Sequence, residues 1–420
     1  MWIVLTLSVL VLVALLLRLQ TAWQRNHASP DALALRLVGD EIDYEGLADA
    51  LLQGAFFPWP GRVPAYPLFI AATYYALGER SPAKLLYVQA LIGAVVVPLT
   101  YLLARRLTGI IPALGAAGIV ALDDSLIDQA WQIYAEILYT PLLLVVLLVL
   151  LWALQAPRLG RFAWAGASMA VLTLCRPTSA LFPLLLPLLL PRGWRLEQKV
   201  GAFLVYGLAM ATVIAPWTYH NWRQYHRFLP LSISGGALWQ GSPEFYHLVQ
   251  RHRNHLDIWA NELNPERNGG HDPHTIDGDR YFTRRGSQSI RAEPVVYITY
   301  SLNKAWYFWL GNPAAEWGYL ALFDWQTMRQ WYPYSSLTLF NMFMARQLPL
   351  IALVALVFLA VRGRVRPLLP FVVVCTYFML VHMSTWSEMR YSEPLHPLLA
   401  IIVMAAGKEG CDWFARKQPS

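Results

Sequence analysis

A cluster of carboxylates near the start of the chain is the first group of residues that could do chemistry. It lies in VGDEIDYEGLADALLQG, residues 38–54, and consists of Asp40, Glu41, Asp43, Glu45 and Asp49. Apolar residues recur between the acids at the spacing of an amphipathic helix, which we expect to end near Gly54. Asp40 stands at the predicted N-cap with Asp43 three residues later, which resembles a capping box, so helix capping alone would account for the acids.

Capping and catalysis are compatible, because an N-cap would hold the Asp40 carboxylate rigid at the start of a surface helix. A carboxylate in a fixed position can act as a general base. We therefore predict Asp40 as the catalytic base, with Glu41 as the alternate. The other three acids, Asp43, Glu45 and Asp49, are expected to be solvated on the helix face.

Cationic side chains recur later in the chain beside apolar segments. An arginine in such a place is costly unless it meets an anion. The alternative at each position is anchoring of the side chain in the headgroup region of a membrane. The arginines map to the same side of the membrane as the acids, which suggests a site for an anionic, lipid-linked substrate. The candidate phosphate-binding residues are Arg62, Arg176, His220, Arg223, Arg390 and Tyr391.

Three other polar residues are candidates for the same site. Asp124 lies in LDDSLIDQAWQIYAEIL, where an exposed turn is the competing explanation. Glu136, in the same stretch, is predicted at the start of an apolar segment, where an ionisable group is a functional candidate by default. Asn221 follows His220 at the end of another apolar segment.

The composition indicates a membrane protein built from helices. The 420 residues are 56% hydrophobic with a mean hydropathy of +0.38, and only 14% are charged, against about 25% in a typical soluble domain. About ten apolar runs are candidate spans, although several are shorter than the ~20 residues of a straight transmembrane helix. The runs are 2–18, 83–104, 109–124, 133–154, 162–175, 178–191, 200–218, 346–361, 367–383 and 394–407.

The distribution of basic residues predicts the topology. The net charge is +7, and with the N-terminus in the cytoplasm every inner loop is basic, as the positive-inside rule requires. The first run is interpreted as an uncleaved signal-anchor helix. We predict three regions. The first is a transmembrane module, 1–218, whose first outer loop, 19–82, carries the catalytic acid. The second is an outer region, 219–345, with a surface helix from Pro294, and the third, 346–420, consists of C-terminal helices with a cytoplasmic tail.

Several other classes of chemistry have no support in the sequence. The histidine pairs His252/His255 and His271/His274 lie in loop-like sequence, so no metal site is predicted there. The three cysteines are scattered and odd in number, which argues against a disulfide framework. The sequence has no Walker loop, GxGxxG after a strand, GxSxG elbow or HExxH, and no nucleic-acid-binding motif.

Taken in order, seven stretches resemble the GT-C superfamily of polyprenyl-phosphate-sugar-dependent glycosyltransferases, in the family 39-like branch similar to protein O-mannosyltransferases and lipid A aminoarabinose transferases. They are GDEIDYEGLADALLQG, RVPAYPLFIAA, YLLARRLTG, IYAEILYTPLLL, LCRPTSALF, APWTYHNWRQYHRFLPLSISGGALWQG and RYSEPLHPLLA. The resemblance implies an all-α polytopic fold with about ten transmembrane helices and amphipathic surface helices in the first outer loop. The family acid maps onto Asp40, with Glu41 as its companion. His220 and Asn221 stand where the family often has Arg-Asn, a departure that shifts the expected phosphate contact towards Arg223.

The resemblance further implies the reaction. A polyprenyl-phosphate sugar would donate its sugar, with inversion, to a lipid, glycan or protein acceptor on the periplasmic or exterior face of the inner (plasma) membrane. Family members sometimes use a divalent metal ion near the phosphate, so such an ion is a possible cofactor. The main alternative is a transporter or flippase of lipid-linked saccharides, which predicts ionisable groups at mid-span and inverted repeats. A noncatalytic membrane assembly factor is the third hypothesis, and it would make Asp40 dispensable.

Overall fold

The computed structural model of the protein describes residues 1–27, 37, 39–252, 258, 261–266, 269–310 and 336–417, with the side chains of 252, 336–346 and 417 excepted. Within these ranges the regular structure is entirely helical. The helices are α1 (Trp2–His27), α2 (Asp40–Leu52), α3 (Ala65–Leu77), α4 (Pro82–Ala94), α5 (Val96–Thr108), α6 (Ile110–Leu122), α7 (Asp124–Asp128), α8 (Glu136–Ala153), α9 (Leu159–Cys175), α10 (Leu186–Leu189), α11 (Leu196–Tyr225), α12 (Gly235–Gln240), α13 (Pro243–His252), α14 (Ile276–Ala292), α15 (Pro294–Leu310), α16 (Ser336–Val361), α17 (Leu369–Ser384) and α18 (His396–Lys417).

The apolar helices make this a multi-pass membrane protein. Five helical stretches are long and apolar enough to cross a bilayer, namely Trp2–His27, Pro82–Thr108, Glu136–Ala153, Leu196–Tyr225 and Arg366–Ser384. Each of the ten apolar runs predicted from the sequence coincides with a helical segment. The N-terminal helix shows why a membrane is needed: Val4, Leu5 and Leu12 are more than half exposed on its surface, and apolar surface of this extent requires a lipid environment.

Small residues set how closely the spans pack. At Gly166 of α9, an added Cβ would lie 2.1 Å from the backbone oxygen of Tyr206 in α11. Only glycine permits this approach, and close contact through small residues is the usual packing mode of transmembrane helices. Helices α9 and α11 are thereby fixed side by side. Beyond this contact, α11 continues past residue 218, the predicted end of the first module.

The segment between α1 and α4 contains two helices, α2 and α3, as the resemblance implied. The predicted capping box is wrong: the N-cap is Gly39, at φ 56°, and Asp40 is the first helical residue with no side-chain capping bond. The physical reason is that the Asp40 carboxylate pairs with arginines instead. Helix α2 ends at Leu52, and Gly54 follows in the left-handed region at φ 85°, which confirms the predicted end of the helix.

Helices α12 to α15 belong to the predicted outer region. Helices α12, α13 and α14 contribute Trp239, Phe245 and Phe282 to a small second core, which also contains Ile258 and is joined by Trp386 from the segment after α17. The aromatic helix predicted to begin at Pro294 is α15. Together these contacts bring three distant parts of the chain to one end of the helix bundle. The three parts are α2 with the loop before α3, the residues before and in α12, and the segment 386–391.

Candidate active site

A cavity of about 410 Å³ lies where these three parts of the chain meet. Its walls come from the start of α2 with the loop before α3, from the residues leading into α12, and from the segment between α17 and α18. Its lining residues are Gly39, Asp40, Asp43, Gly61, Arg62, Ile233, Ser234, Gly235, Gly236, Ala237, Gln240, Leu263, Pro273, His274, Trp386, Glu388, Arg390 and Tyr391. Four of the predicted site residues are therefore together in one cavity: Asp40, Arg62, Arg390 and Tyr391.

Two arginines hold the carboxylate of Asp40 from opposite sides. Arg62 Nη2 donates to Asp40 Oδ1 at 2.6 Å, and Arg390 Nη2 lies 3.2 Å from Asp40 Oδ2. The side chain of Asp40 is still 31% exposed, so a molecule entering the cavity can reach it. The arrangement presents one carboxylate and two guanidinium groups to the same small volume.

The arginines control the protonation of this carboxyl. Burial by itself opposes ionisation of Asp40, but the positive charges of Arg62 and Arg390 outweigh it and hold the pKa of the Asp40 carboxyl well below its usual range. Asp40 is thus ionised throughout the physiological pH range while both arginines face it.

Each of the two arginines has further partners that fix its position. Arg62 also donates to Asp43 Oδ2, from Nη2 at 2.8 Å and from Nε at 3.2 Å, and its guanidinium lies 5.0 Å from the ring centroid of Tyr44. Burial raises the pKa of Tyr44 to about 12, although Arg62 opposes this shift, so the phenol is neutral. The expectation that Asp43 is simply solvated is wrong, because Arg62 binds it.

Arg390 is held by the segment that carries it and by the loop before α8. Its Nε lies 2.6 Å from Glu388 Oε2, and its guanidinium lies 4.7 Å from the ring centroid of Tyr134. Glu388 also accepts a hydrogen bond from Trp386 Nε1. Both cations of the cavity are consequently pre-positioned by neighbouring carboxylates and aromatic rings.

Arg176 and Glu136 form a buried ion pair immediately behind the cavity wall. They stand at the end of α9 and the start of α8, respectively. The Arg176 guanidinium lies 5.1 Å from the ring centroid of Tyr391, which also stacks on the ring of His382, with centroids 4.4 Å apart. Arg176 does not line the cavity, but it contacts the lining residue Tyr391.

The structure places the other predicted residues away from the cavity lining. Glu41 is fully buried, pairs with Arg25 at 2.9 Å and accepts a hydrogen bond from the Ile133 backbone N–H, which ties α2 to α1 and to the loop before α8. Glu45 is also buried, hydrogen-bonded by Tyr74, so the prediction of solvation is wrong for it. Asp124 is the first residue of α7 and has no part in the lining.

The residues at the end of α11 have packing roles. His220 stacks on Trp217, with ring centroids 5.4 Å apart, and meets Phe56 edge to face at 4.7 Å. Asn221 is buried and donates to the backbone oxygens of Leu229 and Leu231, at 2.9 Å each, which folds the following loop back onto the helix. Arg223 is exposed on the same helix.

Sequence reasoning missed several residues of the cavity, including Asp43, Glu388, Trp386, His274 and the glycines of α12. Glu388 carried a visible signal, since it precedes Arg390 by two residues in TWSEMRYSEPLHP. The glycines carried no such signal. An added Cβ at Gly235 would lie 2.3 Å from the Asp279 backbone oxygen, and this close approach is set by the packing of α12 against α14.

A divalent cation does not fit the cavity in this arrangement. Among the described residues, no three His, Cys, Asp or Glu side chains are grouped closely enough to hold a metal ion. Both oxygens of Asp40 already face guanidinium groups, and Arg62 stands between Asp40 and Asp43. His274, 4.0 Å from Asp43 Oδ2, and His271, stacked on Tyr281, do not come together at one site. The side chains of His252 and His255 lie outside the described residues.

Comparison with known proteins agrees with this fold. The family model for dolichyl-phosphate-mannose-protein mannosyltransferases matches residues 62–220. The archaeal oligosaccharyltransferase of Archaeoglobus fulgidus, tethered to an acceptor peptide with an NVT sequon, superposes with a TM-score of 0.58 at 12% identity over 99% of this chain. The same protein in complex with an inhibitory peptide and a dolichol-phosphate gives 0.57 at 14% identity, also over 99% of this chain.

These matches show a shared fold. The chain spans about half the length of the oligosaccharyltransferase structures, 50% and 51% respectively. ArnT from Cupriavidus metallidurans bound to undecaprenyl phosphate also matches, with a TM-score of 0.44 at 14% identity, over the whole of this chain and 81% of that one. No curated protein sequence matches the chain significantly. The chain shares the fold of the archaeal oligosaccharyltransferase structures, in agreement with the helical membrane fold that its sequence predicted.

Proposed function

We propose that this protein is an inverting glycosyltransferase that moves a sugar from a polyprenyl-phosphate donor to a lipid, glycan or protein acceptor. The observation that carries the proposal is the accessible carboxylate of Asp40 held between two guanidinium groups in a cavity at the end of a membrane-embedded helix bundle. A base and a binding site for a phosphate leaving group are the two elements that this reaction needs.

In our proposal Arg62 and Arg390 bind the donor phosphate. Guanidinium groups form short, charge-assisted hydrogen bonds to phosphate oxygens, and these strengthen as negative charge develops on the leaving group. The dolichol-phosphate of the archaeal oligosaccharyltransferase complex and the description of the matching family model support a lipid phosphate as the donor type. Arg176 would act indirectly, through its contact with Tyr391.

Donor binding would also turn Asp40 into a better base. In the free protein the two arginines depress its pKa, which makes the carboxylate a weak base. A phosphate competes for the same guanidinium N–H groups and adds negative charge nearby, and both effects raise the pKa of Asp40. Proton abstraction is thereby coupled to occupation of the donor site.

The chemical step then balances as a single displacement. Asp40 accepts the proton of the acceptor hydroxyl or amine while the acceptor atom forms a bond to the anomeric carbon. The bond from that carbon to the phosphate oxygen breaks, and its electron pair leaves with the phosphate, where Arg62 and Arg390 stabilise the charge. Attack opposite the leaving group inverts the anomeric configuration.

An apolar groove near the cavity is evidence in favour of a donor with a long isoprenoid chain. It has a volume of about 470 Å³ and lies among α15, α16, α17 and α18, with Trp306, Leu353 and Met379 in its walls. Helix α17 continues from this groove to Ser384, two residues before the cavity residue Trp386.

The positive-inside distribution of basic residues supports an active site on the outer face of the inner membrane. A flippase is the second candidate, and Arg18, which is fully buried within α1, is the kind of charge it would use. Most other buried ionisable groups on the spans lie at helix ends, such as Glu136 and His396, which favours chemistry at one interface.

The test is sugar transfer from a synthetic polyprenyl-phosphate sugar by the purified full chain in detergent. We expect transfer by the wild type and its loss in Asp40→Asn. Movement of labelled donor across a reconstituted bilayer without transfer would establish the flippase instead. An Asp40→Asn variant that supports full biological function would favour the assembly factor.

A further inference from the structure

A second charged cavity lies at the opposite end of the bundle from Asp40. It has a volume of about 270 Å³ and is formed where α5, α16 and α18 end and α17 begins. Helix α17 separates the two cavities along its length of 16 residues, or about 24 Å at 1.5 Å per residue. The second cavity therefore has no part in the site described above.

The wall of this cavity combines basic and apolar side chains. Arg364, Lys408 and Arg416 supply positive charge, and Leu107, Leu359 and Leu368 supply apolar surface. This combination matches the boundary between headgroups and acyl chains, where a cation meets a phosphate and apolar residues meet the first methylenes.

Glu409 organises the cations around the cavity. It is 12% exposed and pairs with Arg362 at 3.4 Å, Arg416 at 3.3 Å and Arg364 at 3.5 Å. With Lys408, four basic side chains stand against the two acids Glu409 and Asp412, so the cavity keeps an excess of positive charge. The Arg364 and Arg416 side chains are more than half exposed and can turn towards a ligand.

We propose that this cavity binds the headgroup of an anionic phospholipid, with the lipid phosphate on Lys408 and Arg364 and the acyl chains along the outer surface of the neighbouring helices. The basic loops predict that this end faces the cytoplasm, and basic pockets between transmembrane helices on that side are suited to anionic headgroups. The bound lipid would join the ends of α5, α16, α17 and α18. The inference is independent of the proposed glycosyltransferase activity.

The experiment titrates the purified full chain with phosphatidylglycerol, phosphatidylcholine or free glycerol phosphate and counts bound molecules by native mass spectrometry. We expect phosphatidylglycerol to bind in preference to both others. Lys408→Gln should weaken its binding by about fivefold, the effect of one basic residue next to an anionic lipid. The matched control is Lys199→Gln, which removes the same charge on the same predicted side, where Lys199 Nζ donates to the Arg192 backbone oxygen outside the cavity.

A gain-of-binding variant separates the proposal from loss of folding. Glu409→Gln removes the acid that holds three arginines, so it should tighten phosphatidylglycerol binding, whereas misfolding would weaken it. Equal binding of phosphatidylglycerol and phosphatidylcholine would overturn the proposal. So would equal weakening by Lys408→Gln and Lys199→Gln, or glycerol phosphate binding as tightly as the lipid, since the last result would indicate a soluble ligand.

Discussion

Replacing Asp40 by Asn is the sharpest test of the proposed mechanism, because the change removes the base while keeping the shape of the side chain. A positioned general base contributes about 10²–10⁴-fold to a rate, which corresponds to about 3–5 kcal/mol of activation free energy. We expect kcat for sugar transfer to fall by that factor in the purified Asp40→Asn variant.

The same substitution should lower the donor KM. Arg62, at 2.6 Å, and Arg390, at 3.2 Å, lose their shared carboxylate partner and become more available to the donor phosphate. Partly exposed ion pairs contribute up to about 1 kcal/mol each, so the release of either pair corresponds to about a fivefold decrease in KM. Steady-state transfer of a radiolabelled sugar from a synthetic donor measures both constants.

Asp43→Asn is the matched control, because it also removes a carboxylate that binds Arg62, at 2.8 Å, and leaves Arg390 with Asp40. We expect a similar change in donor KM and less than a tenfold loss of kcat. Thermal unfolding of both variants checks that they fold. The reasoning is refuted if Asp40→Asn keeps kcat within tenfold of the wild type, or if Asp43→Asn loses as much as Asp40→Asn.

Three other predictions concern the groups around Asp40. The arginines hold the pKa of Asp40 low in the free protein, and we expect a bound donor to raise it. The acid limb of the kcat profile should therefore lie at higher pH than the acid limb of the kcat/KM profile. Coincident limbs would contradict the proposed link between donor binding and the pKa of Asp40. Arg62→Gln and Arg390→Gln should each raise the donor KM by about 10–100-fold, as expected for loss of a charge-assisted hydrogen bond of about 1.5–3 kcal/mol. The control Arg280→Gln changes an exposed arginine and should leave the donor KM unchanged. An equally large effect of Arg223→Gln would place the phosphate at the end of α11 instead. Glu136→Gln leaves Arg176 buried without its charge partner and should destabilise the protein by about 3–5 kcal/mol, measured as a lower Tm. The double variant Glu136→Gln/Arg176→Gln should recover part of this loss. An unchanged Tm of the single variant would show that the ion pair is dispensable for stability.

The apolar pattern of the sequence predicted the helical architecture well, for a simple physical reason. A bilayer cannot hydrogen-bond an exposed backbone, so each apolar run must form a helix that satisfies its own backbone groups. All ten predicted runs coincide with helical segments, and α2 and α3 lie between α1 and α4, where the resemblance implied two helices. The division into 1–218, 219–345 and 346–420 stays a prediction.

Residue chemistry also identified part of the candidate site. Arg62 and Arg390 stood out because a permanent charge beside apolar sequence is costly without a partner. The structure gives them one, Asp40, from a segment that lies 350 residues before Arg390 in the chain. Arg223 and His220 fitted the same reasoning equally well, yet one is exposed and the other packs among aromatic rings.

What only the tertiary structure decided is the contact partner of each acid in α2. Successive residues of a helix point about 100° apart, so the rotation of α2 determines which carboxylate reaches which partner. That rotation is fixed by Tyr44, Leu47 and Ala48, whose side chains are buried in the core. Asp40 and Asp43 consequently face the cavity, whereas Glu41 and Glu45 turn inwards to Arg25 and Tyr74. The sequence predicted that acids and arginines would gather at one end of the bundle, and the packing of α2 decided that Asp40 and Asp43 are the acids that face the arginines of the cavity.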